Sequence, residues 1–316
     1  MNLKIALKTT VALILLSVLF ALINWDNFLA TVHNARLEFL VAMLALWPLS
    51  MLLSSVKWNL ILQGYGINEN VKKTFLLYWV GSFFNNFLPS SVGGDSYKFL
   101  ALNKSWPKNK AFIGSSIVLE RLIGICVIIP FPLLIGWMFL GSNRNLDLVY
   151  WGYFGAVIII TASGIIVWLL AKRYSHYIIS NAKLSIIQKI VFIGESFFSY
   201  RDRSGLFFAI IISTGLFFIS AFAYQLCFRA FGEQIAFLHV LFILPIISVA
   251  GAVPISINGL GIKEGLSVFL FSIFGISLEV ALAVALTARV LLIIATSTGG
   301  IAYLFVKPVK VPGNQG

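Results

Sequence analysis

Glu120 and Arg121 stand side by side inside the apolar stretch 111–140, and Arg289 interrupts the apolar run 281–298. A charge at the centre of a bilayer costs about 2.5–3.5 kcal/mol on insertion scales, so such a residue normally faces a cavity or a partner. Guanidinium binds phosphate through two parallel hydrogen bonds, so Arg121 and Arg289 point to anion binding. Two readings stand for Glu120: an ion pair with Arg121 or Arg289, or a functional group at a cavity. Two interrupted stretches add polar chemistry at the same depth. Pro89-x-Ser91-x-x-Gly94 is followed by Asp95 and Lys98, and Pro254-x-Ser256-x-x-Gly259 by Gly261, Lys263 and Glu264. Gly93, Gly94, Gly259 and Gly261 permit positive φ and the close approach of a ligand. Pro89 and Pro254 end the helices before them. A helix starting near Gly94 or Gly261 is expected to offer unsatisfied N–H groups to an anion. Asn85, Asn86 and Asn258 either cap the backbone or hydrogen-bond a headgroup. Taken singly, each motif is also explained as a tight turn at a helix end; the pair, each followed by charge, points to a site. The candidate substrate-binding set therefore also includes Ser91 and Ser256.

The elements that must position these residues are membrane helices. Of 316 residues, 59% are hydrophobic and 11% charged, with a mean hydropathy of +0.96. A soluble domain is about 45–50% apolar and about 25% charged. So few charges could not cover a surface in water, which excludes a soluble enzyme, a DNA-binding protein and a disordered tail. The net charge of +12 then reads as loops facing anionic headgroups, not as a nucleic-acid surface. Cys126 and Cys227 lie in apolar runs, and His33, His176 and His239 share no metal-ligand spacing, so no disulfide, metal or cofactor is expected.

A bilayer core of about 30 Å needs about 20 apolar residues in helix. Full spans are expected over roughly 5–24, 38–56, 111–140, 148–171, 205–230 and 280–306, the first retained rather than cleaved as a signal peptide. Of the 23 Lys and Arg, 17 fall into groups able to share one side: Lys4 and Lys8; Lys57, Lys72 and Lys73; Lys98, Lys104, Lys108 and Lys110; six between 172 and 203; Lys307 and Lys310. Placing all of them in the cytoplasm works only if 73–89 enters and returns on that side, and 237–275 does so from the other. The expectation is an all-α polytopic membrane protein with about six spans, two oppositely oriented re-entrant hairpins and both termini cytoplasmic. Apolar residues at helical spacing over 174–200 suggest a helix lying on the cytoplasmic surface, or a linker.

The halves resemble each other. The Pro-Ser-Gly motifs are offset by 165 (254 − 89) and the arginines by 168 (289 − 121). Opposite insertion makes this an inverted repeat, a single membrane domain over 1–316 with a first half at 1–140, a connecting span and surface segment at 141–204, and a second half at 205–316. Such folds bind substrate near the midplane, where broken helices expose backbone groups. Arg121 and Arg289 are then expected to approach one central cavity from opposite sides.

Asn85-x-x-Leu88-Pro89-x-x-x-Gly93-Gly94-Asp95, Glu120-Arg121-Leu122-x-Gly124 and Pro254-x-Ser256-x-x-Gly259-x-Gly261-x-x-Glu264 resemble the flippase-like membrane domain of the lysylphosphatidylglycerol synthase family. The resemblance covers nearly the whole chain. It implies movement of phospholipids between leaflets, and stand-alone relatives are linked to lipid-linked sugars. Lys98 stands where relatives commonly carry Arg, which loses the planar fork suited to phosphate. With about ten residues after the last span, no soluble aminoacyl-transferring domain is expected, and so no synthesis of lysyl-lipid. The resulting expectation is a lipid translocase of the plasma (inner) membrane, not an enzyme, moving an anionic phospholipid or polyprenyl-phosphate-linked sugar. An intramembrane enzyme using Asp95, Glu120 or Glu264 as acid or base, or an accessory protein of envelope biogenesis, is the alternative.

Overall fold

The computed structural model describes residues 3–87, 93–173, 200–252 and 256–305, and every regular element among them is helical. In chain order these are α1 (Leu3–Ala21), α2 (Trp25–His33), α3 (Leu37–Gly64), α4 (Val71–Phe87), α5 (Gly93–Ser105), α6 (Lys110–Ile128), α7 (Pro130–Gly136), α8 (Arg144–Arg173), α9 (Arg203–Ala230), α10 (Phe237–Ala252), α11 (Ile262–Ile273) and α12 (Leu278–Phe305). Five rods are long and apolar enough to cross a membrane: α3, the run 107–139 containing α6 and α7, α8, α9 and α12. The sixth expected span is α1, which turns by 93° into α2. Leu134, Ile159 and Leu304 are each about 70% exposed or more, as befits side chains whose solvent is lipid. Ser91, Pro89, Pro254 and all but Tyr200 of the expected surface helix at 174–200 lie outside the described residues.

One expected span is longer than its apolar run. α3 passes 56 and continues through Lys57 and Asn59 to Gly64. Lys57 and Lys98 are buried, 7% and 4% exposed, so these two do not belong with the loop charges among which the charge count placed them. Their charge is met inside the protein, which is why the helix need not stop at the first lysine.

Two pairs of short helices form hairpins. α4 and α5 have 17 and 13 residues, about 25 and 20 Å of helix, which is less than the bilayer core. Their outer ends meet: Lys73 Nζ donates to Ser105 Oγ and to Glu69 Oε2, both at 2.7 Å, and Trp106 Nε1 donates to Glu69 Oε2 at 3.1 Å. Burial raises the Glu69 pKa, but the hydrogen bonds from Lys73 and Trp106 outweigh it and hold the carboxyl below its ordinary value. α10 and α11, with 16 and 12 residues, are pinned in the same way by His239 stacked on Phe274 at 4.0 Å.

These pinned ends sit at opposite ends of α3. Asn59 Nδ2 donates to the Glu69 carbonyl at 2.8 Å, beside Gly64. At the other end Arg36 N donates to the Ala230 carbonyl at 2.8 Å, and Gln225 Nε2 reaches the Ile235 carbonyl at 3.1 Å just ahead of α10. The 28 residues of α3 place about 42 Å between them. The neighbours are reciprocal as well: α4 packs on α12 from the second half, α10 packs on α7 from the first, and α3 lies along α9 between them. The largest apolar cluster, including Phe217, Phe228, Phe242, Phe271 and Leu282, surrounds the second hairpin; a smaller one around Trp58, Leu62 and Leu102 surrounds the first.

Close backbone approach fixes the first hairpin. A Cβ on Gly94 would overlap the Gly81 carbonyl oxygen of α4 and meet the Asn85 side chain at 2.8 Å. Gly94→Ala is therefore expected to lower stability by about 1–3 kcal/mol, the usual cost of overpacking. Gly155→Ala on α8, where a Cβ meets nothing within 4 Å, should be neutral or mildly stabilising. Thermal unfolding of the two purified variants checks the contrast.

Candidate functional site

The second hairpin turns through backbone that few residues tolerate. Asn258, Gly259 and Gly261 have φ of 52°, 72° and 82°, the left-handed region that glycine enters at no steric cost. α11 begins there, and Glu264 in its first turn, 2% exposed, accepts from Gly261 N at 2.7 Å with Oε2. Its other oxygen accepts from Nε of Arg289 on α12. Lys263 lies along the glycines: a Cβ on Gly251 or Gly259 would meet its Cγ at 2.8 or 3.1 Å. It forms no ion pair among the described residues. Asn258 Nδ2 donates to Asn86 Oδ1 at 3.3 Å, and Asn86 Nδ2 to Thr296 Oγ1 at 2.7 Å. The inner ends of the two hairpins thus meet each other and α12. Around this junction is a pocket of ≈ 250 Å³ lined by Asn86, Tyr224, Ser248, Asn258, Lys263, Glu264 and Arg289, with Leu244, Ile247, Ala285, Ala288 and Leu292 completing the wall. Arg289 uses Nε on Glu264 and keeps two further nitrogens on a side chain that reaches the pocket.

In the first half the corresponding groups are packed together rather than around a space. Asp95, in the first turn of α5, accepts from Arg121 Nε and pairs with Lys98 Nζ at 3.1 Å. Lys98 Nζ also lies 3.3 Å from Glu120 Oε2, and Lys57 Nζ lies 3.3 Å from Glu120 Oε1. The Tyr78 hydroxyl donates to Glu120. Lys98 Nζ sits 4.1 Å from the Tyr78 ring centroid and 5.0 Å from that of Trp58, within cation–π range. Trp58 is held by its Nε1–H donating to Ser116 Oγ at 3.1 Å.

Neither reading of Glu120 as an arginine partner holds: its partners are Lys57, Lys98 and Tyr78. One N–H at each turn is taken within the protein, Gly94 N by Asn85 Oδ1 at 2.8 Å and Gly261 N by Glu264. The structure brings Asn86, Asn258, Lys263, Glu264 and Arg289 to one pocket, with Gly259 and Gly261 shaping its turn. It gathers Asp95, Lys98, Glu120 and Arg121 in a separate cluster, where Gly93 and Gly94 begin α5 and Asn85 of α4 accepts from Gly94 N. Arg121 is not on the pocket wall, and its side chain is 48% exposed. Ser256 is buried with no hydrogen-bond partner among the described residues. Both halves nevertheless repeat one device, a carboxylate in the first turn after the break held by Nε of an arginine on the next rod. The offsets are 169 (264 − 95) for the carboxylates and 168 (289 − 121) for the arginines. Lys57, Tyr78, Tyr224, Ser248 and Thr296 had no place among the candidates. Of these, Lys57 alone enters the sequence analysis, as a charge at the end of an apolar run.

A family model described as the lysylphosphatidylglycerol synthase TM region matches residues 5–300. A UPF0104 membrane protein of Methanocaldococcus jannaschii is 26% identical over 332 residues, covering 96% of this chain and 97% of its own. A UPF0104 membrane protein of Pyrococcus horikoshii is 21% identical, covering 94% and 96%. No solved structure matches the chain.

Removing one partner of a buried ion pair leaves an uncompensated charge and costs about 3–5 kcal/mol. Arg289→Ala should therefore destabilise strongly through Glu264, and Arg289→Ala/Glu264→Gln should recover most of the loss. A double-mutant cycle in melting temperature reads this directly; equal loss in the single and double variants would show that Glu264 needs no cation.

Proposed function

The chain belongs to the lysylphosphatidylglycerol synthase transmembrane-region family, and on that premise we propose that it is a lipid translocase whose polar pocket takes an anionic headgroup while the hydrocarbon remains in the membrane. One observation carries this reading: Lys263 and Arg289 face one carboxylate, Glu264, in a pocket enclosed by the inner ends of two short helical hairpins. The pocket has one positive charge more than it can neutralise itself, and a phosphate or similar anion supplies the difference. Non-helical backbone at membrane depth is tolerated where it is buried or lines such a cavity.

The hairpins are re-entrant and the halves form an inverted repeat. Supporting this are the pinned outer ends at opposite ends of α3, the reciprocal packing of α4 on α12 and α10 on α7, and the matched carboxylate–arginine pairs. The ends carrying Lys72, Lys73, Lys104, Lys108, Lys110, Arg201 and Arg203 face the cytoplasm of a plasma (inner) membrane by the positive-inside rule. The protein binds and moves its lipid and does not transform it. Both oxygens of Glu264 are engaged by Gly261 and Arg289, and those of Glu120 by Lys57, Lys98 and Tyr78, leaving neither carboxylate free as a base. Its partners are an anionic phospholipid or a polyprenyl-phosphate-linked sugar and the membrane itself.

Two measurements test the proposal. In liposomes loaded with a panel of anionic phospholipids and polyprenyl-phosphate lipids, the purified protein should equilibrate at least one of them between leaflets and return it chemically unchanged. Arg289→Lys should fold normally yet bind and move that lipid about ten- to a hundredfold less, as expected from losing one charged hydrogen bond of about 1.5–3 kcal/mol. An altered lipid would establish an enzyme instead, and no movement with any lipid would leave a non-transporting membrane protein. Separately, single cysteines at Lys104 and Arg201 should label from one side and a cysteine at Asn143 from the other; labelling of Lys104 and Arg201 from opposite sides would defeat the re-entrant topology.

A further inference from the structure

Beside the polar pocket lies a second space of ≈ 320 Å³, bounded by α3, α9 and α12. The two share Tyr224, Ala288 and Leu292, so they adjoin. Their chemistry changes across that boundary. Beyond Tyr224 the groove is walled by Met43, Leu46, Met51, Ile219 and Leu291, and its width comes from small residues such as Ala223 and Ala295. Its two serines present no free donor: Ser50 Oγ donates to the Leu46 carbonyl at 3.0 Å and Ser220 Oγ to the Leu216 carbonyl at 2.9 Å. Leu292, common to both spaces, is 47% exposed, so the groove reaches the lipid-facing surface.

We propose that this groove is the chain subsite of the lipid whose headgroup occupies the polar pocket: the hydrocarbon leaves past Tyr224 and Ala288 and lies between α3, α9 and α12. The inference rests on the headgroup reading and extends it to where the rest of the molecule goes. A charged head and an apolar chain joined covalently require a polar cavity and an apolar groove side by side, and these two spaces supply both. A separate membrane lipid resting in the groove would be indifferent to what fills the pocket.

The test compares a water-soluble head with the same head on a long chain. Binding of glycerophosphoglycerol, a monoanionic phosphodiester, and of a long-chain phosphatidylglycerol is measured on wild-type protein and Ala223→Phe. Ala223 lines the groove and not the pocket. Ala223→Phe fills the groove, and the expected result is at least a tenfold loss of the long-chain lipid with glycerophosphoglycerol binding and melting temperature retained. Should Ala223→Phe fail to fold, photolabelling of wild-type protein decides. Phosphatidylglycerol carrying a photoactivatable chain should label the peptides containing 43–51, 219–223 and 291–295, and excess glycerophosphoglycerol should displace it. Unchanged long-chain binding in folded Ala223→Phe, or labelling indifferent to glycerophosphoglycerol, overturns the chain subsite and leaves the headgroup pocket standing. Wild-type protein that binds neither ligand overturns the headgroup reading and the subsite with it.

Discussion

A carboxylate set at the first turn of a helix inside a membrane demands a cation from a neighbouring helix, because hydrocarbon offers nothing else to neutralise it. That demand organises this protein twice. Asp95 draws Arg121 from α6, and Glu264 draws Arg289 from α12. Each pair fastens the returning arm of a hairpin to the rod that follows it. Once Glu264 is fixed, its second oxygen closes on Gly261 N and sets the start of α11. The left-handed residues Asn258, Gly259 and Gly261 then carry the chain around the pocket. Turn, pocket and ion pair are one mechanical unit, and loss of the arginine would disturb all three.

The same device yields different results in the two halves because of what surrounds it. In the first, Lys57, Lys98, Tyr78 and Glu120 pack around the carboxylate–arginine pair, and Trp58 covers the Lys98 ammonium. In the second, Tyr224, Ser248 and the inward-lying Lys263 leave room. The carboxylates beside Lys98 are met by its ammonium directly, whereas Lys263 lies along two glycines and forms no ion pair among the described residues. Of two lysines near equivalent breaks, one joins an internal charge cluster and the other faces a space. On the proposed reading the open half has the binding chemistry, and the Asn86–Asn258 contact joins it to the closed one.

How much of this was legible in sequence follows from the kind of information each feature carries. The spans were legible because about 20 apolar residues in a row leave little else for the chain to do. The hairpins were legible from the Pro, Gly and Asn that interrupt such runs, together with the charges on either side of them. Which cation meets which carboxylate was not, because helix packing decides it. Glu120 and Arg121 are neighbours in the chain, yet successive helical residues point about 100° apart and do not face each other. Glu120 accordingly turns to Lys57 and Lys98 while Arg121 turns to Asp95. Lys57 was hidden for the opposite reason: a lysine following an apolar run looks like the end of a span, and only the carboxylate on α6 shows that the helix continues. One N–H at each turn is capped locally, because Asn85 and Glu264 lie close enough in sequence to reach Gly94 N and Gly261 N.

Charge arithmetic connects these details to the proposed role. Lys263 and Arg289 against Glu264 leave one positive charge unanswered among the described residues. Arg289 is mostly covered and Lys263 lies against backbone, so that excess is desolvated. A monoanionic headgroup would neutralise that pocket without reversing its sign, and a group with no net charge would gain nothing from it. On the proposed reading, the site thus selects by charge balance first and by hydrogen-bond geometry second. The chain need contribute no recognition of its own beyond fitting an apolar groove, so one pocket of this design suits lipids whose hydrocarbon differs while their headgroup charge is shared.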